Sequence, residues 1–173
     1  LLQSQTDARG GVTSHTYDSA GNRTSSTNPQ GQTTYFSGYN AHGQATLIQY
    51  PNGLNVSRSY DTRGRLATRT VAGATTSFSY DLSGRLLRTT QPDGTWRQRA
   101  YDAAGYLSSI SNHRGETINI ARDAAGNETS RTTYTASGAV ALAGSQQFNS
   151  HGRLARTTDS RGYSTLWTYN ADG

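Results

Sequence analysis

A five-residue phrase recurs eight times in this 173-residue chain: an aromatic, then Asp or Asn, two free positions and Gly. The copies are Tyr17-Asp18…Gly21, Tyr39-Asn40…Gly43, Tyr60-Asp61…Gly64, Tyr80-Asp81…Gly84, Tyr101-Asp102…Gly105, Arg122-Asp123…Gly126, Phe148-Asn149…Gly152 and Tyr169-Asn170…Gly173. Successive starts lie 22, 21, 20, 21, 21, 26 and 21 residues apart, and only Arg122 breaks the aromatic ladder. A fixed period of this length means one supersecondary unit stacked many times. That constrains the fold more than any composition figure.

The phrase is turn chemistry. An Asp or Asn side chain bonds the backbone two residues on, and Gly takes the left-handed conformation that closes the turn. Asp first and Gly fourth suit a type I turn with a glycine bulge, a common hairpin connection. A second turn falls midway through each period. All three prolines sit there, in Asn28-Pro29-Gln30-Gly31, Tyr50-Pro51-Asn52-Gly53 and Gln91-Pro92-Asp93-Gly94, while Gly10, Gly73, Gly115 and Gly162 mark proline-free versions. The midway Gly precedes the next phrase by seven residues in six repeats, and by eight from Gly31 to Tyr39. The extra residue, Gly38, has the place of a bulge.

Between turns the pattern alternates. Tyr163, Thr165, Trp167 and Tyr169 share one face of a strand, as do Leu54, Val56, Arg58 and Tyr60 and, further on, Ile118 and Ile120. Leu66, Leu86, Leu107 and Leu154 each stand two residues past a phrase Gly. Period-two spacing rich in Thr, Ser and Tyr suits half-buried strands, and no helical stripe is sustained. The expectation is an all-β chain, an antiparallel sheet of about fifteen short strands joined as successive hairpins, forming one array over residues 1–173.

Apolar supply is thin: Leu, Ile, Val and Phe together number 23 of 173. Such a composition leans toward disorder, but a net charge of only +5 and strictly spaced turns oppose that reading. A long sheet also leaves edge groups unpaired. The expectation is therefore a segment of a larger closed or spiralling sheet, truncated at both ends, since the chain begins without Met and stops on Gly173 inside a phrase. Open edges predict self-association.

No side-chain constellation points to catalysis. All nine Asp fall in turn slots, leaving only Glu116 and Glu128 elsewhere. The four His show no metal-ligand spacing. There is no Cys and no Gly-x-Ser-x-Gly elbow, and the glycines, spread one per turn, open no phosphate-binding helix. No apolar run reaches the ~20 residues of a membrane span. No catalytic group, metal or cofactor is expected. The sixteen Arg give a pI near 9.7 but are scattered, so cross-strand partnering and solvated edges explain them better than a nucleic-acid patch.

Tyr-Asp-x-x-Gly-[Arg/Asn]-Leu with a Pro-x-Gly turn midway resembles the RHS or YD-repeat family, most closely in Tyr60–Leu66 and Tyr80–Leu86. The resemblance covers essentially the whole chain. It implies a long β-sheet spiralling into a hollow shell, as in bacterial polymorphic toxins and the BC component of insecticidal Tc complexes. Those shells enclose a C-terminal toxin, and in animal teneurins a similar shell serves adhesion. The family's self-cleaving aspartyl segment carries Asp-Pro motifs, and none occurs here, so neither cleavage nor toxin activity carries over. The resemblance implies a non-catalytic wall segment of a large secreted or contact-delivered bacterial protein. Its partners would be the rest of the shell and an enclosed polypeptide. A surface adhesin or glycan-binding array is the alternative, with Trp96, Tyr163 and Trp167 stacking on sugars. The long repeat 122–148 departs from the pattern; its surplus falls in residues 136–145, read as an extended hairpin or protruding loop.

Overall fold

A computed structural model describes residues 1–170. It divides into two compact units, Leu1–Ser79 and Tyr80–Gly173. The first carries β1 (Ser4–Thr6), β2 (Val12–Tyr17), β3 (Arg23–Thr27), β4 (Thr33–Tyr39), β5 (Ala45–Gln49), β6 (Asn55–Tyr60), β7 (Leu66–Val71) and β8 (Ala74–Tyr80). The second carries β9 (Leu86–Thr90), β10 (Trp96–Tyr101), β11 (Leu107–Asn112), β12 (Thr117–Arg122), β13 (Glu128–Tyr134), β14 (Val140–Phe148), β15 (Leu154–Thr158) and β16 (Ser164–Leu166). Sixteen strands thus stand where the spacing predicts about fifteen, and no helix occurs among the described residues. Within each unit every strand pairs antiparallel with its sequence neighbour. Short turns allow nothing else, because two strands joined by a tight hairpin meet at once.

Directly opposed residues share a face, so the registers sort every side chain. One face carries the phrase aromatics. It includes the row Phe36–Ile48–Val56–Val71–Ala74 across β4 to β8, and the row Arg99–Ile110–Ile118–Thr133–Leu142 across β10 to β14. The other face is largely hydroxyl. Opposed pairs hydrogen-bond there: Thr16 with Ser25 (2.6 Å), Thr27 with Thr33 (2.8 Å), Ser59 with Thr68 (2.6 Å), Thr70 with Thr75 (2.7 Å) and Thr158 with Ser164 (2.9 Å). Such a pair contributes roughly 0.2–1 kcal/mol. Full burial is scarce, as the composition requires. Among the described residues the only buried apolar side chains are Ile48 and Val56 in the first unit and Ile120 in the second, and Ser25 is buried on the hydroxyl face of the first.

Two repeats are irregular. Gly38 is no bulge: the ladder runs Ser37–Leu47 and Tyr39–Ala45 without a register shift. Thr46, the residue left over on the facing strand, hydrogen-bonds the Gly38 carbonyl (2.5 Å) and absorbs the surplus. The long repeat takes the extended-hairpin form rather than the protruding loop. Residues 135–139 close an ordinary tight turn, with Thr135 N bonded to Ala139 O and Gly138 N to Thr135 O. The extra residues lengthen β13 and β14 to seven and nine residues, with a register shift at Thr133/Tyr134.

Candidate functional site

The phrase folds into one wiring scheme. In the Asp61 copy, Oδ1 accepts from the Arg63 and Arg65 amides (both 2.9 Å), while Oδ2 takes the Arg65 Nε (2.7 Å). Asp18 accepts from Ala20 and Asn22, Asp123 from Ala125 and Asn127, Asn40 from His42 and Gln44, and Asn149 from His151 and Arg153. Asp81 bonds the Arg85 amide and guanidinium, and Asp102 the Tyr106 amide. These bonds hold carboxylates below the ordinary aspartate pKa, chiefly the Arg65 amide at Asp61, the Asn22 side chain at Asp18 and the Asn127 side chain at Asp123. Each phrase Gly closes its turn at positive φ, between +69° at Gly43 and +91° at Gly105. Gly173 lies outside the described residues.

A second set of bonds joins one repeat to the next. The Tyr17 hydroxyl donates to Leu2 O (2.7 Å), Tyr60 to Ala45 O (3.2 Å), Tyr101 to Leu86 O (3.0 Å), Tyr169 to Leu154 O (2.7 Å), and Tyr39 to Arg23 O. Apart from Leu2, the acceptors all lie two residues past the preceding phrase Gly. A Tyr in this slot therefore staples its repeat to the turn exit of the one before.

A third feature runs beside it. In several repeats the residue just past the phrase Gly reaches the next phrase Gly, whereas Gly152 faces open space. Gln44 donates from Nε2 to Gly64 O (2.8 Å). A Cβ built on Gly105 would lie 3.1 Å from Arg85 Nη1, and one on Gly126 would lie 2.8 Å from Tyr106 Oη. Arg85 and Arg153 also stack on the next phrase ring, Tyr101 (4.6 Å) and Tyr169 (5.4 Å). At the copy without an aromatic the pair is exchanged: Tyr106 supplies the ring, and the Arg122 guanidinium lies 5.5 Å from its centroid. Arg122 also donates to Gly126 O (3.3 Å) and faces Glu128 (3.8 Å). The ladder is not broken at Arg122 but inverted. Among the described residues the phrase carboxylates are occupied as turn acceptors, and Ser150 Oγ lies 3.4 Å from His151 Nδ1 on an exposed turn. Among the described residues, no three metal-ligating side chains gather.

Residues 1–33 and 39–76 match the RHS repeat. These stretches support an RHS/YD-repeat family. Over 71 residues it is 39% identical to double-stranded DNA deaminase toxin A of Burkholderia cenocepacia, which is 41% of this chain and 5% of that protein. It also superposes on the Photorhabdus luminescens Tc holotoxin pore and on the TcdB2–TccC3 and TcdB2–TccC3–Cdc42 structures, each with TM-score 0.61 and 16% identity. Those matches cover 99–100% of this chain but only 12–13% of theirs, so the chain spans about an eighth of the solved chains it resembles. At that identity the likeness is one of fold.

The RHS array does not bring the three expected ring residues together. Trp96, on the hydroxyl face of β10 opposite Thr90, has the Arg88 guanidinium 4.4 Å over its ring. Trp167 and Tyr163 flank β16, and Tyr163 is 72% exposed. The sequence reading missed another feature. Several arginines of the aromatic face lack carboxylate partners. Arg58 stands directly opposite Arg69, and Arg97 and Arg99 alternate along β10. Buried guanidinium nitrogens of Arg58 and Arg99 have no hydrogen-bond partner among the described residues. The signal was legible in register alone, since like charges directly opposite are unfavourable and need a reason.

Proposed function

We propose that this chain is a stretch of wall in the hollow β-shell of a large, secreted or contact-delivered bacterial RHS-repeat protein. It works by enclosing a polypeptide toxin or effector and performs no catalysis of its own. The observation that carries the reading is where the polar groups go. Tyrosine hydroxyls, turn carboxylates and the side chains past each Gly bond within a repeat or to the next one. That chemistry builds a continuous hydrogen-bonded barrier. The relatives support the same reading by name, since one is a deaminase toxin and the others are Tc toxin assemblies. A single array through residues 1–173 fits the role.

Limited proteolysis of the parent protein tests it. The segment following the repeats should survive digestion that destroys the same segment expressed alone. Loss at equal rates in both contexts would overturn enclosure and leave an open display scaffold, for which glycan binding at Tyr163 and Trp167 is then the reading to test.

A further inference from the structure

Beside the mid-repeat turns of the second unit lies a groove of about 580 Å³, lined by Arg97, Arg99, Arg114, His113, Asn112 and Glu116 among others. A second hollow of about 370 Å³ shares Arg97, Asn112 and Glu116 with it and continues over Ile110, Ile118 and Thr133. The registers explain this continuity. Arg99, Ile110, Ile118 and Thr133 form one cross-strand row, and Arg97 and Asn112 form the neighbouring pair on the same face.

The charge in this groove is uncompensated. The side chains of Arg97 and Arg99 make no hydrogen bond or ion pair among the described residues, and Arg99 Nη1 is buried without a partner. Glu116 is the only carboxylate in the lining, and its Oε2 already accepts from Asn112 Nδ2 (2.6 Å). Buried guanidinium donors without acceptors are unfavourable, and the planar fork suits a carboxylate that takes two donors at once. An aliphatic floor beside the cations asks for apolar side chains next to that carboxylate.

We propose that this groove is a docking site for an acidic, aliphatic-bearing polypeptide segment, the chemistry expected of a stretch of the enclosed cargo that lies against the wall. The identity of the occupant as cargo rests on the enclosure reading; the groove's preference for acidic polypeptide does not.

The test uses the full chain and a labelled twelve-residue peptide of Glu and Leu, with a Lys-and-Leu peptide and a twelve-base-pair DNA duplex as competitors, read by fluorescence anisotropy. The Glu peptide should bind, and weaken with added salt. The double variant Arg97→Gln/Arg99→Gln should lose at least tenfold in affinity, and Ile118→Ser about threefold. Because the two arginine side chains make no hydrogen bond or ion pair among the described residues, the double variant should keep its thermal midpoint, which separates lost binding from lost structure. Arg58→Gln/Arg69→Gln, in the other unit, removes equal charge and should leave affinity unchanged. The proposal is overturned if that control weakens binding as much, since diffuse positive charge would then account for it. Equal binding of the Lys peptide, or tighter binding of the duplex with loss in the same variants, would also overturn it, the latter by naming phosphate as the ligand. Peptide binding without protease protection would sink enclosure alone, and protection without peptide binding would sink the groove alone.

Discussion

Two neighbouring steps of the array are built from the same pair of residues in opposite places. From the fourth phrase to the fifth, Arg85 follows the Gly and lies over Tyr101. From the fifth to the sixth, Tyr106 follows the Gly and receives Arg122. The turns themselves are alike, with Asp102 and Asp123 each closing onto a left-handed Gly. These two steps each hold one cation against one ring, in opposite order. What the inverted step gives up is the staple, because the hydroxyl that Tyr101 sends to Leu86 O has no counterpart at Arg122. Arg122 compensates with its bond to Gly126 O and its proximity to Glu128.

The strongest way to break the inverted step is to fill its glycine. Gly126 and Gly53 have nearly the same backbone, at φ +86° and +81°, but Gly53 faces open space whereas a Cβ at Gly126 would meet the Tyr106 hydroxyl. Gly53→Ala should cost only the left-handed strain, about 1–2 kcal/mol. Gly126→Ala carries the same strain and must also push Tyr106 off Arg122, adding about 0.5–1 kcal/mol for the lost cation–ring contact. Urea denaturation of both variants checks this. Equal losses would mean that Tyr106 swings aside freely and that the ring–cation pair contributes nothing.

The pair can also be turned round. Tyr106→Arg alone sets two guanidinium groups together, and Arg122→Tyr alone sets two rings together, one of them able to restore the staple. The double variant recreates the Arg85–Tyr101 arrangement. A double-mutant cycle should give a favourable coupling of about 1 kcal/mol. Strict additivity would show that the exchange at this step is accidental.

How much of this was legible in the sequence depends on range. Asp61, Gly64 and Arg65 lie within one turn, and their spacing alone foretells the Asx bonds and the positive φ, because these interactions depend on local backbone geometry. The strand faces followed from period two. The staple did not, since Tyr101 and Leu86 are brought together by the register of two strands rather than by proximity in sequence. Reading Arg122 as a break has the same origin. Its partner Tyr106 sits sixteen residues earlier in a slot usually held by Arg, Asn or Gln, and only the two departures taken together spell an exchange. Gly38 was misread because a surplus residue counts as a bulge only if the facing strand has none to match it, and Thr46 does.

The Asp and Asn copies of the phrase differ in one respect that pH exposes. Asp18, Asp61 and Asp123 have pKa values held below the ordinary carboxylate value by bonds to the ionised form. A depressed folded-state pKa means that their stabilisation is present above the unfolded value of about 4 and is lost as pH falls through the folded one. Asn40 and Asn149 make the same bonds to backbone amides and do not titrate in that range. On acidification below about pH 4, amide exchange should quicken at Arg65 and Asn22 before it does at Gln44 and Arg153. Simultaneous loss at all four would mean that the array melts as a unit and the turns contribute no local stability.

The smallest change concerns the other copy without a staple. Phe148 holds the aromatic slot but has no hydroxyl. Its strand, β14, is long, yet the ladder Ser130–Ser145 places position 148 against the exit of the preceding turn just as Leu47–Ser57 places Tyr60. The carbonyl corresponding to Ala45 O is therefore that of Glu128, despite the lengthened hairpin between them. Phe148→Tyr should supply the missing bond and stabilise the chain by about 0.5–1.5 kcal/mol, the net contribution of an ordinary hydrogen bond. A rise in thermal midpoint, accompanied by slower exchange in β13 and β14, is the expected result. No change in either would mean that the lengthened strands tilt the ring away from the seam, and that the staple requires a repeat of the common length.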